Sequence, residues 1–220
     1  MTPQPTRETH LAHLSQALDL ARLSPPKPTN FRVGCVIVSY GPDGPADGSG
    51  QILSTGYTLE LEGNTHAEQC ALTKLARQHS LDDESRLHQL DVLSAERNVT
   101  LYTTLEPCGL RLSGNKPCVE RIIDTRRNGG GVTKVIFGAR EPGTFVKDSK
   151  SLQRLDEEGV PWEYIPGLEE EILNVAMEGH EEKQEKQEKQ GTNVDDITPE
   201  EKERQEALPR NPKKRMMETV

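Results

Sequence analysis

Residues 99–124 read VTLYTTLEPCGLRLSGNKPCVERIID, and this stretch decides the fold. Val99 to Thr103 has the β-branched and aromatic content of a strand. A loop carrying Pro107 and Cys108 follows, and a helix is predicted from about Pro117 to Asp124. The turn-rich connection Arg126 to Gly131 then leads into Val132 to Gly138, a second run apolar enough to be a buried strand.

The pattern continues in both directions. Downstream, Leu152 and Leu155 suggest a short helix ended at Gly159, Val160 to Ile165 can be a last strand, and Leu168, Ile172, Val175 and Ala176 mark a final helix. Upstream, Leu11, Leu14, Ala17, Leu18 and Ala21 recur at helical spacing, so about Arg7 to Leu23 reads as an amphipathic helix stopped by Ser24-Pro25-Pro26-Lys27-Pro28. Val33 to Val38 is continuously apolar and reads as a buried strand; Gly41 to Gly50 is a loop, and Gln51 to Tyr57 returns as the second strand of a hairpin. His66 to about Gln78 reads as a helix, while the polar His79 to Arg97 either extends it or forms a surface insertion. Helices and strands alternating in this way predict an α/β fold, a three-layer α/β/α sandwich around a central mixed sheet.

Composition separates a body from a tail. Only 32% of the 220 residues are hydrophobic, and the deficit lies mostly beyond Gly179, where Glu-Lys-Gln occurs three times between Glu182 and Gln190. Such a tract cannot bury enough surface to offset its ordering entropy. Residues 1–179 are therefore expected to form one domain, and 180–220 a charged low-complexity tail, disordered or a solvated helical extension. Lys213-Lys214-Arg215 resembles a basic localisation patch, a length at which solvated charge is the ordinary reading.

The net charge of −9 argues against sequence-independent nucleic-acid binding, which needs a basic surface. Neither a secretory signal nor a membrane-spanning apolar stretch is evident, so no membrane partner is expected. Four cysteines without a secretory signal fit a reducing compartment, where metal ligation or burial is favoured over disulfides. A cytoplasmic location is expected, with the basic patch leaving a nuclear one open.

The chemistry-bearing residues are His66, Glu68, Cys108 and Cys118. A hydrolytic zinc site needs three protein ligands and an open fourth position for water, and His66, Cys108 and Cys118 can supply the three. Glu68 is the candidate proton carrier. Residues two apart do not share a helix face, so His66 and Glu68 can cooperate only if His66 lies at the very start of its helix; the loop-like Glu62 to Thr65 permits this. A closed structural site is the rival: Cys70, one turn after His66, would be the fourth ligand and displace the water, and Glu68 would be a surface carboxylate. Cys70 and Cys35 otherwise read as small core residues.

His66-Ala67-Glu68 together with Thr104-Leu105-Glu106-Pro107-Cys108 resembles the cytidine-deaminase superfamily. The wide interval to Cys118 is unlike the Cys-x-x-Cys of tRNA adenosine, cytidine and deoxycytidylate deaminases, and is similar to the riboflavin-biosynthesis pyrimidine deaminases. Asn30 to Val38 resembles the first hairpin strand of that group, and Leu110 to Asn115 its fungal branch. The resemblance runs from about Arg7 to Glu178. It implies one zinc ion per chain with a catalytic water, and hydrolytic loss of the 2-amino group from a 2,5-diamino-6-ribitylamino- or ribosylamino-pyrimidinone 5'-phosphate. It also implies a homodimer, and a separate reductase. Carried onto this chain, Glu68 shuttles protons and the backbone around Ala67 and Cys108 meets the ring. Asn30 holds the sugar chain or base, or is only a turn residue. Arg111, then Lys116, are the choices for phosphate, because the Gly-Arg/Lys-Thr-Pro-Pro-Cys segment of bacterial members is replaced here; either could be plain surface charge. Other expectations stay open: deamination of another nucleoside, nucleotide or tRNA base, or a non-catalytic deaminase-like module with structural zinc.

Overall fold

The computed structural model describes residues 4–111, 113–127, 129–142 and 150–180. In chain order the elements are α1 (Arg7–Ala21), β1 (Gly34–Ser39), β2 (Gln51–Tyr57), α2 (Ala67–Gln78), β3 (Val99–Leu105), α3 (Cys118–Asp124), β4 (Val132–Ala139), α4 (Ser151–Glu157), β5 (Trp162–Tyr164) and α5 (Glu169–Met177). The sheet order is β2-β1-β3-β4-β5. β1 is antiparallel to β2 and β3, whereas β3, β4 and β5 run parallel. This is the mixed sheet expected from the alternation of elements.

Side-chain alternation divides the sheet into two faces. Cys35, Ile37, Leu101 and Val135 pack on one side with Ala71, Leu72 and Leu75 of α2, Ile122 of α3 and Leu155 of α4. Val36, Val38, Tyr102 and Ile136 point the other way, against Leu14 and Ala17 of α1. Leu18 and Ala21 of α1 meet Ile172 and Ala176 of α5 beside Leu105 and Ala139. Helices therefore cover both faces, which explains why β1 is buried along its whole length and reads as an unbroken apolar run.

Three boundaries differ from the sequence reading. Helix α1 stops at Ala21, leaving Leu23 exposed, because Arg32 reaches across to the carbonyl oxygens of Arg22 (Nη2, 2.5 Å) and Ser24 (Nε, 2.8 Å) and takes acceptors a continuing helix would use. The last strand is shorter than Val160 to Ile165, whose end residues are buried flanks of β5. The segment His79 to Arg97 is neither a helical extension nor a plain surface insertion. It holds three short 3-10 turns, Glu84–Gln89, Asp91–Leu93 and Ala95–Arg97, with Leu87 and Leu93 buried and Leu90 against the same core. Leu87, Leu90 and Leu93 are three residues apart, the spacing that lines up side chains at 3.0 residues per turn.

The last described residue, His180, is packed into the compact body at 5% exposure. The Glu-Lys-Gln repeats and the basic patch at Lys213 to Arg215 lie outside the described residues. No helix among the described residues is long and apolar enough to cross a membrane.

Candidate metal centre and active site

Two helix starts and one loop build the cluster. His66 is the N-cap of α2 in extended conformation (φ −93°, ψ 161°), so its ring leaves the chain before the helical turn begins. Glu68, the second residue of α2, then turns to the same side, which meets the condition set by the spacing. Cys118 opens α3 after Pro117, and Cys108 lies in the loop after β3.

The backbone explains how a nine-residue interval replaces a tight Cys-x-x-Cys. The first amides of a helix have no intrahelical acceptor. Here the Cys118 amide donates to Cys108 Sγ (3.4 Å) and the Val119 amide to the Cys108 carbonyl (3.2 Å). These bonds fasten the two cysteines together, and the intervening residues loop out.

The ligand atoms of His66, Cys108 and Cys118 all lie within 4.8 Å of one another. His66 Nδ1 is 3.5 Å from each sulfur. A tetrahedral zinc with ordinary Zn–N and Zn–S bonds places nitrogen and sulfur about 3.6 Å apart, so the donor set fits the ion in spacing as well as in type. Cys70 is outside this group. Its thiol is buried, which pushes it up. Among the described residues the cluster thus has three protein donors, as a site with an open position requires.

Electrostatics follow from depth. Glu68 is 3% exposed, with Oε2 3.3 Å from Cys118 Sγ and Oε1 accepting from the Thr103 hydroxyl at 3.4 Å. Burial pushes its carboxyl above the ordinary range, the Cys108 charge adds to this, and His66 opposes it. A raised pKa suits a group that takes and returns protons near neutral pH. The two thiols titrate as a pair: a hydrogen bond from Cys118 favours the Cys108 thiolate and lowers it, while Cys118 is held up.

A cleft of about 150 Å³ opens over the cluster, and Asn30, Asn64, His66, Glu68, Cys108 and Arg111 are among its lining residues. Asn30 Nδ2 donates to Asn64 Oδ1 (2.7 Å). The buried Arg111 donates to the Asn64 carbonyl (2.6 Å) and to Gln69 Oε1 on α2 (3.1 Å). Lys116 is not among the lining residues and pairs with Asp124 at 2.5 Å. The Ala67 side chain packs in the core, so the contact expected of this residue is one from its backbone. Sequence reasoning missed Asn64, Glu106 and Glu141, which also line the cleft. Glu106 accepts from the Ser151 hydroxyl, and burial with the charges of Cys108, Glu106 and Glu68 pushes Glu141 up to about 8. The position of Glu106, two residues before Cys108, was the available signal; Asn64 and Glu141 carried none.

A mixed sheet presents a His/Cys/Cys cluster from two helix starts and one loop, with a buried glutamate beside it, the donor set of a hydrolytic zinc site. The chain belongs to the family described as the cytidine and deoxycytidylate deaminase zinc-binding region, matched over residues 7–139. It is 30% identical over 174 residues to the diaminohydroxyphosphoribosylamino-pyrimidine deaminase of Schizosaccharomyces pombe, covering 79% of this chain and 36% of that relative. The chain thus spans little more than a third of the length of that curated relative. The crystal structure of Aspergillus oryzae Rib2 deaminase, a C-terminal deletion mutant at pH 6.5, matches with a TM-score of 0.71 and 47% identity over 80% of this chain and 94% of that one. The same deaminase in complex with DARIPP matches with the same TM-score, identity and coverage.

Proposed function

We propose that this chain hydrolyses the 2-amino group from a 2,5-diamino-6-ribitylamino- or ribosylamino-4(3H)-pyrimidinone 5'-phosphate, a step of riboflavin biosynthesis. The observation that carries the reading is the placement of Glu68 beside three zinc-spaced donors at the floor of a cleft walled by Asn30 and Arg111. The likeness to deaminases named for this pathway supports it.

His66, Cys108 and Cys118 would hold the zinc. Once bound, zinc supplies the Lewis acidity that makes water a usable nucleophile near pH 7. Glu68 accepts a proton from the attacking water and returns it to the ring nitrogen. As the C–N bond breaks, Glu68 takes the remaining proton of the added hydroxyl, whose oxygen becomes the ring carbonyl, and passes it to the departing amine, which leaves as ammonia. Asn30 faces the sugar chain or the base. Arg111 remains the choice for phosphate, because two of its five N–H donors serve Asn64 and Gln69 and its planar fork suits a bidentate anion.

The deciding measurement is ammonia release by the zinc-loaded chain from both diaminopyrimidine phosphates and from cytidine. Turnover of cytidine alone would overturn the substrate assignment. Arg111→Ala is expected to raise KM at least about tenfold more for phosphorylated than for dephosphorylated substrate. An equal rise for both removes the phosphate role. The reading carries with it a cytoplasmic homodimer that binds no nucleic acid, in keeping with the net charge of −9. Deleting Glu182–Val220 is expected to leave the melting temperature nearly unchanged; a large drop would show that these residues belong to the folded domain.

A further inference from the structure

Asn30 and Phe31 line the cleft, yet they lie between α1 and β1 in neither a helix nor a strand. Their own segment holds them in part: the Asn30 amide donates to the Lys27 carbonyl (3.4 Å) and the Thr29 hydroxyl to Asn30 Oδ1 (2.8 Å). A second hold comes from Asn64, through the side-chain bond already described. A third comes from the far end of the folded body. His180, just after α5, donates from Nε2 to the Asn30 carbonyl oxygen at 3.0 Å. Its ring stacks on Phe31 with centroids 5.1 Å apart and planes inclined by 26°. Next to these, the Arg32 amide donates to the Ala176 carbonyl (3.2 Å), and the Arg32 guanidinium pairs with Glu178.

We propose that His180 is a positioning residue for substrate, clasping the Asn30–Phe31 wall against the end of α5. Its effect reaches further along the rim. Asn30 bonds Asn64, the Asn64 carbonyl is held by Arg111, and Arg111 bonds Gln69, three residues after His66 on the helix that carries the site. His180 therefore anchors one end of a hydrogen-bonded belt whose other end is the catalytic helix. It touches neither the metal cluster nor Glu68, so its loss loosens substrate binding and spares the proton transfer. The proposal rests on reading the cleft as the substrate site.

The experiment compares full-length zinc-loaded wild type with His180→Ala, His180→Gln and His180→Phe. The first readout is amide hydrogen exchange of a peptide spanning residues 29–33, which does not depend on turnover. The second is the split between KM and kcat on the phosphorylated diaminopyrimidines. His180→Ala is expected to speed exchange in that peptide and raise KM about tenfold, with kcat within roughly twofold of wild type. His180→Gln keeps a donor and His180→Phe keeps the stack, and each is expected to recover part of both losses. Unchanged exchange in His180→Ala overturns the clasp. Faster exchange with unchanged KM, or a fall in kcat at constant KM, overturns the positioning role. A wild-type chain that releases no ammonia from either phosphate refutes the function proposed above, while the exchange comparison still decides the clasp.

Discussion

Glu68→Gln is expected to lower deamination by about 10⁴-fold while zinc and fold stay in place. The substitution is nearly isosteric, and the side chain is buried, so shape is the first thing a poor choice would disturb. Glutamine retains an oxygen that can accept from Thr103, the bond that orients the group. The three donors of the metal cluster are untouched, since Glu68 is not one of them. What disappears is the capacity to take a proton from water and return it to nitrogen. Burial already holds the carboxyl above its ordinary range, which means the folded environment disfavours its charge. Removing that charge should leave thermal stability equal or higher, a sign opposite to that of a structural carboxylate. The checks are kcat/KM by ammonia release, zinc content by elemental analysis, and the melting temperature. Full activity with one zinc per chain would end the proton-carrier assignment.

The contrast between what was legible and what was not has a physical basis. Strand β1 was readable because it is buried along its whole length and apolar from Gly34 to Val38; β3 is buried throughout with its threonines included, and β4 is buried from Val135 to Ala139. The metal cluster was readable because zinc accepts few donor types, and His66, Cys108 and Cys118 are scarce residues in a chain with six histidines and four cysteines. The Cys70 rival could not be dismissed from spacing. One turn of helix brings Cys70 near His66 along the axis, and only the geometry, in which the donor atoms of His66, Cys108 and Cys118 converge without it, shows that it faces elsewhere. The cleft walls were the least legible. Asn64 and Glu141 are common residue types in polar stretches, His180 stands outside any motif, and the placement of all three depends on how distant segments pack. Lys116, two residues before Cys118, pairs with Asp124 at the end of α3.

Gly56→Ala is expected to destabilise the chain by about 3 kcal/mol and to weaken zinc binding in the molecules that still fold. Gly56 lies on β2, before the loop that leads into His66 and α2. A Cβ built there would lie 2.3 Å from the Ala67 carbonyl oxygen and 2.5 Å from the Ala71 amide nitrogen. Both are backbone atoms of α2, so no rotamer change relieves the clash and the helix itself must move. Ala67 lies between His66 and Glu68, so the displacement falls on the turn that aims the histidine and the carboxylate. A metal site tolerates little of this, because the 3.5 Å spacing from His66 Nδ1 to both sulfurs is set by where α2 begins. Gly34 provides the control. A Cβ there would come within 1.8 Å of the Ala17 carbonyl oxygen, a worse clash, but with α1 on the opposite face of the sheet. Gly34→Ala should therefore cost at least as much in a urea melt, while its folded fraction keeps wild-type zinc affinity in a chelator competition. If both variants lose stability but neither loses zinc affinity, the close packing of α2 on β2 serves the fold alone. If Gly56→Ala melts like wild type and holds zinc as tightly, α2 can shift on the sheet without disturbing the site, and its register is not what aims His66 and Glu68.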